Sequence, residues 1–485
     1  MYKVAHRCKA PDNNPPEKKR VPFCWRVASI VPDNTYETKL WWKENEQIMS
    51  TTRFRLCVAV DVREEKIIEL FTLQTKKIIG TLDIRFASVF QVYESIISRK
   101  DSLALIREGL GMRMVKGKEP LWFLIEGSDT VPLEQSFKPH LLENRKDPSI
   151  RTLQERISTL ASLQQFGWME GCVLDGLMDL EYKEAAMAHL SLFMDRKKTR
   201  LVYEDPRSVP VDGQFYGIES LLPIAIMAKV YSHTSILKDA VQYMESKMDE
   251  KGVIRDKTEI SAEGNYTIAY PLACLARVLD RDDLALQSLY QLSIRKEVLW
   301  RNKTLYLRFN EDGTYTFKHW GRAHVWYLLG MIRTLKELKE QGRLSNQQEE
   351  KWKGEFTRAW NIAWSFRNNE GVWSCFVDDS TTGFEASTTA GIAAATAIGI
   401  NMGYLSHSLQ KDLERTFHAL CTCLTPDGFV GCSSQANKGG EELQRSGYRV
   451  LSQVSMGLFA QFVSAQRGWE ETRHTKVQIS PLNIL

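Results

Sequence analysis

Arg322 and Trp326 lie four residues apart in the stretch HWGRAHVW, residues 319–326. On a helix that spacing stacks them on one face, a turn apart. A guanidinium can grip a carboxylate, and an indole beside it offers an apolar plane to a sugar ring. Trp320 and His324 flank the pair. Beyond Trp326 the chain turns apolar (YLLGMIRTL), which puts the polar and aromatic residues at the helix's opening end. An arginine in the first turn of a buried helix opposes the macrodipole. Arg322 therefore requires a partner, and a ligand carboxylate is a natural one.

Acids and aromatics recur just before other apolar helices. GWMEGC carries Trp168 and Glu170; PVDGQFYGIES carries Asp212, Gln214, Tyr216 and Glu219; AEGNYTIAYP carries Glu263 and Tyr266; DDSTTGFEASTT carries Asp378, Asp379, Glu385 and Ser387. Each also has a non-chemical reading. Asp212 suits an N-cap, and Glu170 suits a first-turn charge facing the helix dipole. Glu385 with Ser387 reads equally as capping chemistry, and Trp168, Trp320 and Trp326 as core aromatics.

The elements that must position these residues are helices. From about residue 150 the strand signal fades and twelve apolar segments of helical period follow, from RTLQERISTLASLQQ to VLSQVSMGLFAQFVSAQ. GIAAATAIGI and YGIESLLPIAIMA are apolar nearly all round and should be buried; LQKDLERTFHAL and LKDAVQYMESKM have a polar face and should lie outside. Twelve helices of two kinds predict six hairpins closed into an (α/α)6 barrel over residues 150–467, with a tail at 468–485. DEKG (249–252), NEDG (310–313), NNEG (368–371) and TPDG (425–428) are turns with glycine at the left-handed position, each followed by a few strand-like residues.

Residues 1–145 read differently. Residues 1–50 look like an extended arm. RFRLCVAVDV, IIELFTLQ, KIIGTLDIRF and PLWFLIE have strand composition. ASVFQVYESII looks helical, and SLALIREGL suits a second short helix. A small mixed α/β or mainly β domain without a catalytic constellation is expected.

Composition narrows the classes. The 485 residues carry a net charge of +4 and are 43% hydrophobic and 26% charged, as in a globular protein of two domains. KKR at 18–20 and RKK at 196–198 are too short to argue for nucleic acid. No stretch reaches 18 apolar residues, so no membrane span is expected. The nine cysteines show no metal-ligand spacing, and a reducing compartment fits them best. MYKVAHRCKAPDNNPPEKKR has no apolar core of a secretory signal; the expected location is cytoplasmic, or periplasmic if a leader has been trimmed.

Taken together, WGRAHVW is similar to the W-x-R-G-x-x-W stretch of the unsaturated glucuronyl and unsaturated rhamnogalacturonyl hydrolases. VDGQFYG resembles that family's Asp-containing stretch at the start of an inner barrel helix. EASTTAGIAAATAIGI resembles its E-[AT]-S-x-[ST]-A segment. The resemblance covers roughly residues 150–467. It implies an (α/α)6 barrel acting, without metal or organic cofactor, on the 4,5-unsaturated uronic acid that polysaccharide lyases leave at a non-reducing end. An Asp protonates C4 of the enol ether, water adds at C5, and the hemiketal opens to release the sugar. By position Asp212 would be that acid and base, with its pKa raised by burial or by a second carboxylate. Arg322 would hold the substrate carboxylate, and Trp326 would stack on the sugar. Trp320, His324, Trp168, Tyr216 and Glu385 would line the site. The sequence departs from the family at two places: WMEGC replaces an early D-x-G, so Glu170 would substitute for the second Asp, and Ala323 replaces the glycine after the arginine.

The expected partner is an oligosaccharide ending in a uronic acid, with no nucleic acid and no membrane; a homo-oligomer is left open. Three alternatives share the barrel: a saturated uronide hydrolase, a sugar epimerase needing two histidines across the pocket, and a non-catalytic glycan-binding barrel.

Overall fold

The computed structural model describes residues 2–32, 36–144 and 148–478. The chain forms two compact units. The first comprises Met1–Phe166, Ser191–Gln214 and Leu424–Gln453; the second comprises Gly167–Leu190, Phe215–Cys423 and Val454–Leu485. The strand-rich unit thus extends beyond residue 145 and recruits two excursions from the helical part of the sequence.

The first unit is built from β1 (Tyr2–Val4), β2 (Arg7–Lys9), β3 (Arg26–Ile30), β4 (Thr38–Trp41), β5 (Thr52–Cys57), β6 (Glu65–Thr72), β7 (Ile78–Arg85), β8 (Val92–Ile97), β9 (Leu110–Lys116), β10 (Leu121–Glu126) and β11 (His140–Glu143). They pair antiparallel in the orders β1-β11-β5-β8, β2-β4-β9-β6-β7 and β3-β10. Ile68, Leu70, Leu82, Ile84, Met112 and Phe54 meet in its core. Two expectations are corrected here. Residues 1–50 supply four paired strands, because alternate residues such as Ala28, Ile30 and Leu40 find a core to enter. The end of ASVFQVYESII is β8, running alongside β5 from Thr52↔Ile97 to Cys57↔Val92. A short apolar run rich in Val and Ile satisfies both periods, and pairing decides between them. Ser98 then caps α1 (Arg99–Glu108), and the unit also holds α2 (Ile150–Ile157).

The remaining helices are α3 (Trp168–Asp179), α4 (Lys183–Leu192), α5 (Leu222–Val230), α6 (Ile236–Ser246), α7 (Tyr270–Val278), α8 (Asp282–Leu299), α9 (Gly321–Glu340), α10 (Asn346–Ser365), α11 (Ala386–Asn401), α12 (Gln410–Cys421), α13 (Gly440–Arg445) and α14 (Gln453–Gln478). All but α13, which belongs to the Leu424–Gln453 excursion, lie wholly or mainly in the second unit. There α3 lies against α5, α5 against α7, α7 against α9 and α9 against α11. Asn401 of α11 donates to the Ala465 carbonyl of α14 at 3.0 Å. A Cβ on Gly457 of α14 would come within 2.4 Å of the Cys172 carbonyl of α3, so only glycine permits that approach. These contacts run once around through six helices. Burial follows the sequence pattern: Ala386–Ile400 is buried on every side, whereas α6 buries Ile236, Leu237, Ala240, Val241 and Met244 and turns its other face outward.

Between helices, Gly252, Gly313, Gly371 and Gly428 adopt φ of 76°, 82°, 83° and 90°, as their turn sequences predict. β12 (Ile260–Ser261), β13 (Trp300–Arg301), β14 (Thr304–Phe309) and β15 (Tyr315–Lys318) form one small sheet, and β16 (Ser374–Phe376) pairs with β17 (Asp379–Phe384). The expected tail at 468–485 begins as the last turns of α14; residues 479–485 lie outside the described residues. Among the described residues no helix is long and apolar enough to cross a membrane.

Candidate active site

Neighbouring helix entrances of the second unit bring acids and aromatics together. Gly167, at φ 133°, turns the chain into α3, and a Cβ there would lie 2.5 Å from the Tyr216 hydroxyl. This close approach sets Tyr216 beside the half-buried Trp168. Trp168 meets Trp326 edge-on with centroids 5.3 Å apart, and Trp326 stacks on Tyr266 at 6.1 Å. Tyr266 lies in a π-helical turn, Asn265–Ala269, that feeds α7. Such turns break the regular ladder and frequently mark functional positions.

Glu219 opens the short 3-10 turn Ile218–Leu221 ahead of α5. Protein atoms crowd it, yet part of it still reaches solvent. Its pKa is pushed up to about 8, first by burial and then by the negative charges of Glu263 and Asp256. Arg308 and the Tyr216 hydroxyl, which donates to Oε2 at 3.3 Å, oppose the rise without cancelling it. Glu263 and Asp256 are raised as well, each mainly by burial. Arg308 stands on β14, in register with Ser261 and Thr316 on the flanking strands. Burial disfavours its charge, but Glu263, Glu259, Glu219 and Asp256 outweigh that and keep it protonated. Among the described residues no group of His, Cys, Asp and Glu is arranged to hold a metal ion.

The residues singled out from the sequence are distributed in three ways. Trp168 and Tyr216 stand at the helix entrances beside Glu219. Arg322, Glu385, Trp320, Trp326, His324 and Glu170 are buried. Arg322 is 3% exposed; its Nε donates to Ser387 Oγ at 2.7 Å, and Nη2 lies 3.8 Å from Glu385 Oε1. Ser387 Oγ in turn donates to Glu385, and Glu385 accepts the Ser387 and Thr388 backbone N–H groups as the N-cap of α11. Glu385 is thus an anion that the protein itself sets beside Arg322. Trp326 and Trp320 are buried, and Trp326 packs against Tyr266. His324 Nε2 lies 3.1 Å from His319 Nδ1, and burial lowers the pKa of both rings. Glu170 is buried against His189 Nδ1 at 2.8 Å.

Asp212 belongs to the first unit. Arg20 Nη1 and Nη2 each donate to its carboxylate at 2.7 Å, and the Tyr203 N–H adds a third bond at 3.2 Å. The Arg20 hydrogen bonds are the chief reason its pKa falls below the usual carboxylate value. The raised pKa expected of it is corrected: a bidentate guanidinium stabilises the charged form. It caps no helix either, since the next helical turn starts at Ile218.

Sequence reasoning missed Asp256 and Arg308 and gave Glu219 and Glu263 no role. Arg308 is preceded by YL and followed by FN in a strand-like run, and only strand register brings it beside Glu263. The signal for Glu219 was present: an acid immediately before an apolar helix, the same pattern that drew attention to Asp212.

Residues 149–466 match the family model described as Glycosyl Hydrolase Family 88. The fold is similar to that of a family 105 glycoside hydrolase from C. acetobutylicum, at 16% identity over 66% of this chain and 99% of that one, with a TM-score of 0.55. It is also similar to a glycosyl hydrolase family 88 structure from Bacteroides vulgatus, at 15% identity over 65% and 98% of the two chains, with a TM-score of 0.50. No curated protein matches the sequence.

Proposed function

We propose that this chain, which belongs to Glycosyl Hydrolase Family 88, removes a terminal 4,5-unsaturated uronic acid from oligosaccharides on an (α/α)6 barrel, with Glu219 as its acid and base. The observation that carries this reading is the place of Glu219: a partly exposed carboxyl at the helix entrances, 3.3 Å from the Tyr216 hydroxyl, which burial and the charges of Glu263 and Asp256 push towards its protonated form. Hydrating an enol ether at neutral pH needs a carboxylic acid that still holds its proton, and efficiency is greatest when its pKa lies near the working pH. Glu219 meets that demand; Asp212, ionised by Arg20, does not.

The steps balance on one carboxyl. Protonated Glu219 gives its proton to C4, and positive charge develops over C5 and the ring oxygen. Water adds to C5 and returns a proton to the Glu219 carboxylate. The hemiketal then opens as the C5–O5 bond breaks, leaving a C5 ketone and a hemiacetal at C1. That hemiacetal expels the rest of the oligosaccharide. Glu263 and Asp256 serve by keeping Glu219 protonated between turnovers. Trp168, the half-buried indole at the entrance of α3, offers the ring surface for the sugar.

The test is loss of the ultraviolet absorbance of the C4=C5 bond from lyase-generated unsaturated disaccharides. Loss with the parent protein that vanishes in Glu219→Gln supports the reading. Unchanged absorbance with every such disaccharide contradicts it. The epimerase alternative is disfavoured by the histidines: His319 and His324 touch each other and do not face one another across a space.

A further inference from the structure

We propose that Arg308, and not Arg322, receives the carboxylate of the uronic acid and so makes the enzyme select acidic sugars. The inference rests on the reading of Glu219 as the acid and adds to it the group that holds the substrate.

The two arginines differ in what their guanidinium groups already do. Arg322 is 3% exposed and tied into the Ser387–Glu385 cap of α11. Turning Arg322 towards a ligand would break its bond to Ser387 and weaken its pairing with the fully buried Glu385. The Arg308 side chain is 23% exposed. Its Nε is 3.4 Å from Glu259 Oε2 and its Nη2 is 3.8 Å from Glu263 Oε1. Both are ion pairs too long for the paired hydrogen bonds a guanidinium makes with a carboxylate. Among the described residues its guanidinium forms no hydrogen bond, so its donors remain for a ligand. The strand holds the residue still: Arg308 is paired on both sides, and its guanidinium rests over the Phe317 ring at 5.8 Å.

Charge and connectivity agree. Glu219, Asp256, Glu259 and Glu263 surround Arg308 closely enough to raise its proton affinity. Such a cluster of acids repels an anionic sugar unless the sugar's own carboxylate can exchange for one of these on the guanidinium. In a 4,5-unsaturated uronic acid the carboxyl carbon is bonded to C5, one bond from the C4 that must be protonated. Arg308, held by strand register opposite Ser261 and 3.8 Å from the Glu263 that crowds Glu219, is therefore placed to hold the carboxylate with C4 near that acid. Once seated, the carboxylate neutralises Arg308 and favours the protonated form of Glu219, the form the first step uses.

The test compares an unsaturated disaccharide with its uronate methyl ester, using the full-length protein and the Arg308→Ala and Arg308→Lys variants. In Arg308→Ala, kcat/KM on the free acid should fall roughly 30- to 100-fold, mainly through KM, while the ester changes by no more than about threefold. Arg308→Lys keeps the charge and loses the fork, so its preference for acid over ester should fall by at least about fivefold. It also answers the question if Arg308→Ala does not fold. Acid and ester falling by the same factor, or an unchanged preference in Arg308→Lys, would overturn the proposal. A parent protein that turns over both compounds, with only the preference unaltered in the variants, refutes Arg308 and leaves Glu219 standing. A parent that turns over neither refutes both.

Discussion

Asp212 and Glu219 lie seven positions apart in PVDGQFYGIES, each placed just ahead of the same apolar helix. Asp212 falls in the unit built around strands, where Arg20, 192 positions away, clamps its carboxylate. Glu219 falls in the helical unit, where Asp256 and Glu263 crowd it. One carboxyl is driven below its ordinary value and the other up to about 8. Protonation is decided by what the fold brings from elsewhere in the chain, so adjacency in sequence says little about shared chemistry.

The sharpest way to break this comparison is to neutralise each carboxyl in turn. Glu219→Gln should lower kcat by about 10²–10⁴, whereas Asp212→Asn should stay within about threefold of the parent, both followed by C4=C5 absorbance. Equal losses, or a loss confined to Asp212→Asn, would invert the assignment. The next effect is on stability. Removing Arg20 strips the partner from Asp212 and from Glu204, whose side chain is only 7% exposed. Because Arg20 is itself 31% exposed, Arg20→Ala should destabilise the protein by about 1–2 kcal/mol in denaturant titration, with kcat of the folded protein unchanged.

Two further predictions follow pH. Glu219 binds its proton more tightly folded than unfolded, so the stability that proton brings is fully present below the unfolded value of 4.5. It is lost as pH climbs through about 8. Glu219→Gln mimics the protonated form. It should therefore unfold at a higher temperature than the parent at pH 9, with the gap closing towards pH 4; a lower unfolding temperature at pH 9 would count against a strained carboxyl. Asp212 runs the opposite way, contributing stability at neutral pH that is lost in acid. The smallest effect is expected from Glu263→Gln. Removing that negative charge should move the alkaline limb of the kcat/KM profile to lower pH, because Glu263 is the largest charge raising Glu219.

Much of the helical architecture could be read in the sequence because burial and period coincide there. ASTTAGIAAATAIGIN is α11 from end to end, and the four turn glycines fall where the turn chemistry places them. The N-terminal strands were harder: residues 1–50 mix prolines with short apolar pieces, and their partners β9, β10 and β11 make strands of them. In the site, Trp168 and Tyr216 were legible as aromatics at helix entrances. Arg322 was legible as an arginine needing an anion, but sequence cannot tell an anion inside the protein from one on a ligand, and the fold sets Glu385 beside it. Arg308 could not be found at all, since its importance arises from a strand register that sets it against Ser261, two residues before Glu263.

The titration of the Glu219 carboxyl tests the assignment most directly. With glutamate labelled at the carboxyl carbon and Glu219→Gln used to identify the resonance, its chemical shift can be followed from pH 3 to pH 10. A midpoint near 8, falling in Glu263→Gln, is the expected result. A midpoint at or below 4.5, the ordinary glutamate value, would contradict it, for Glu219 would then be ionised at neutral pH and have no proton to give.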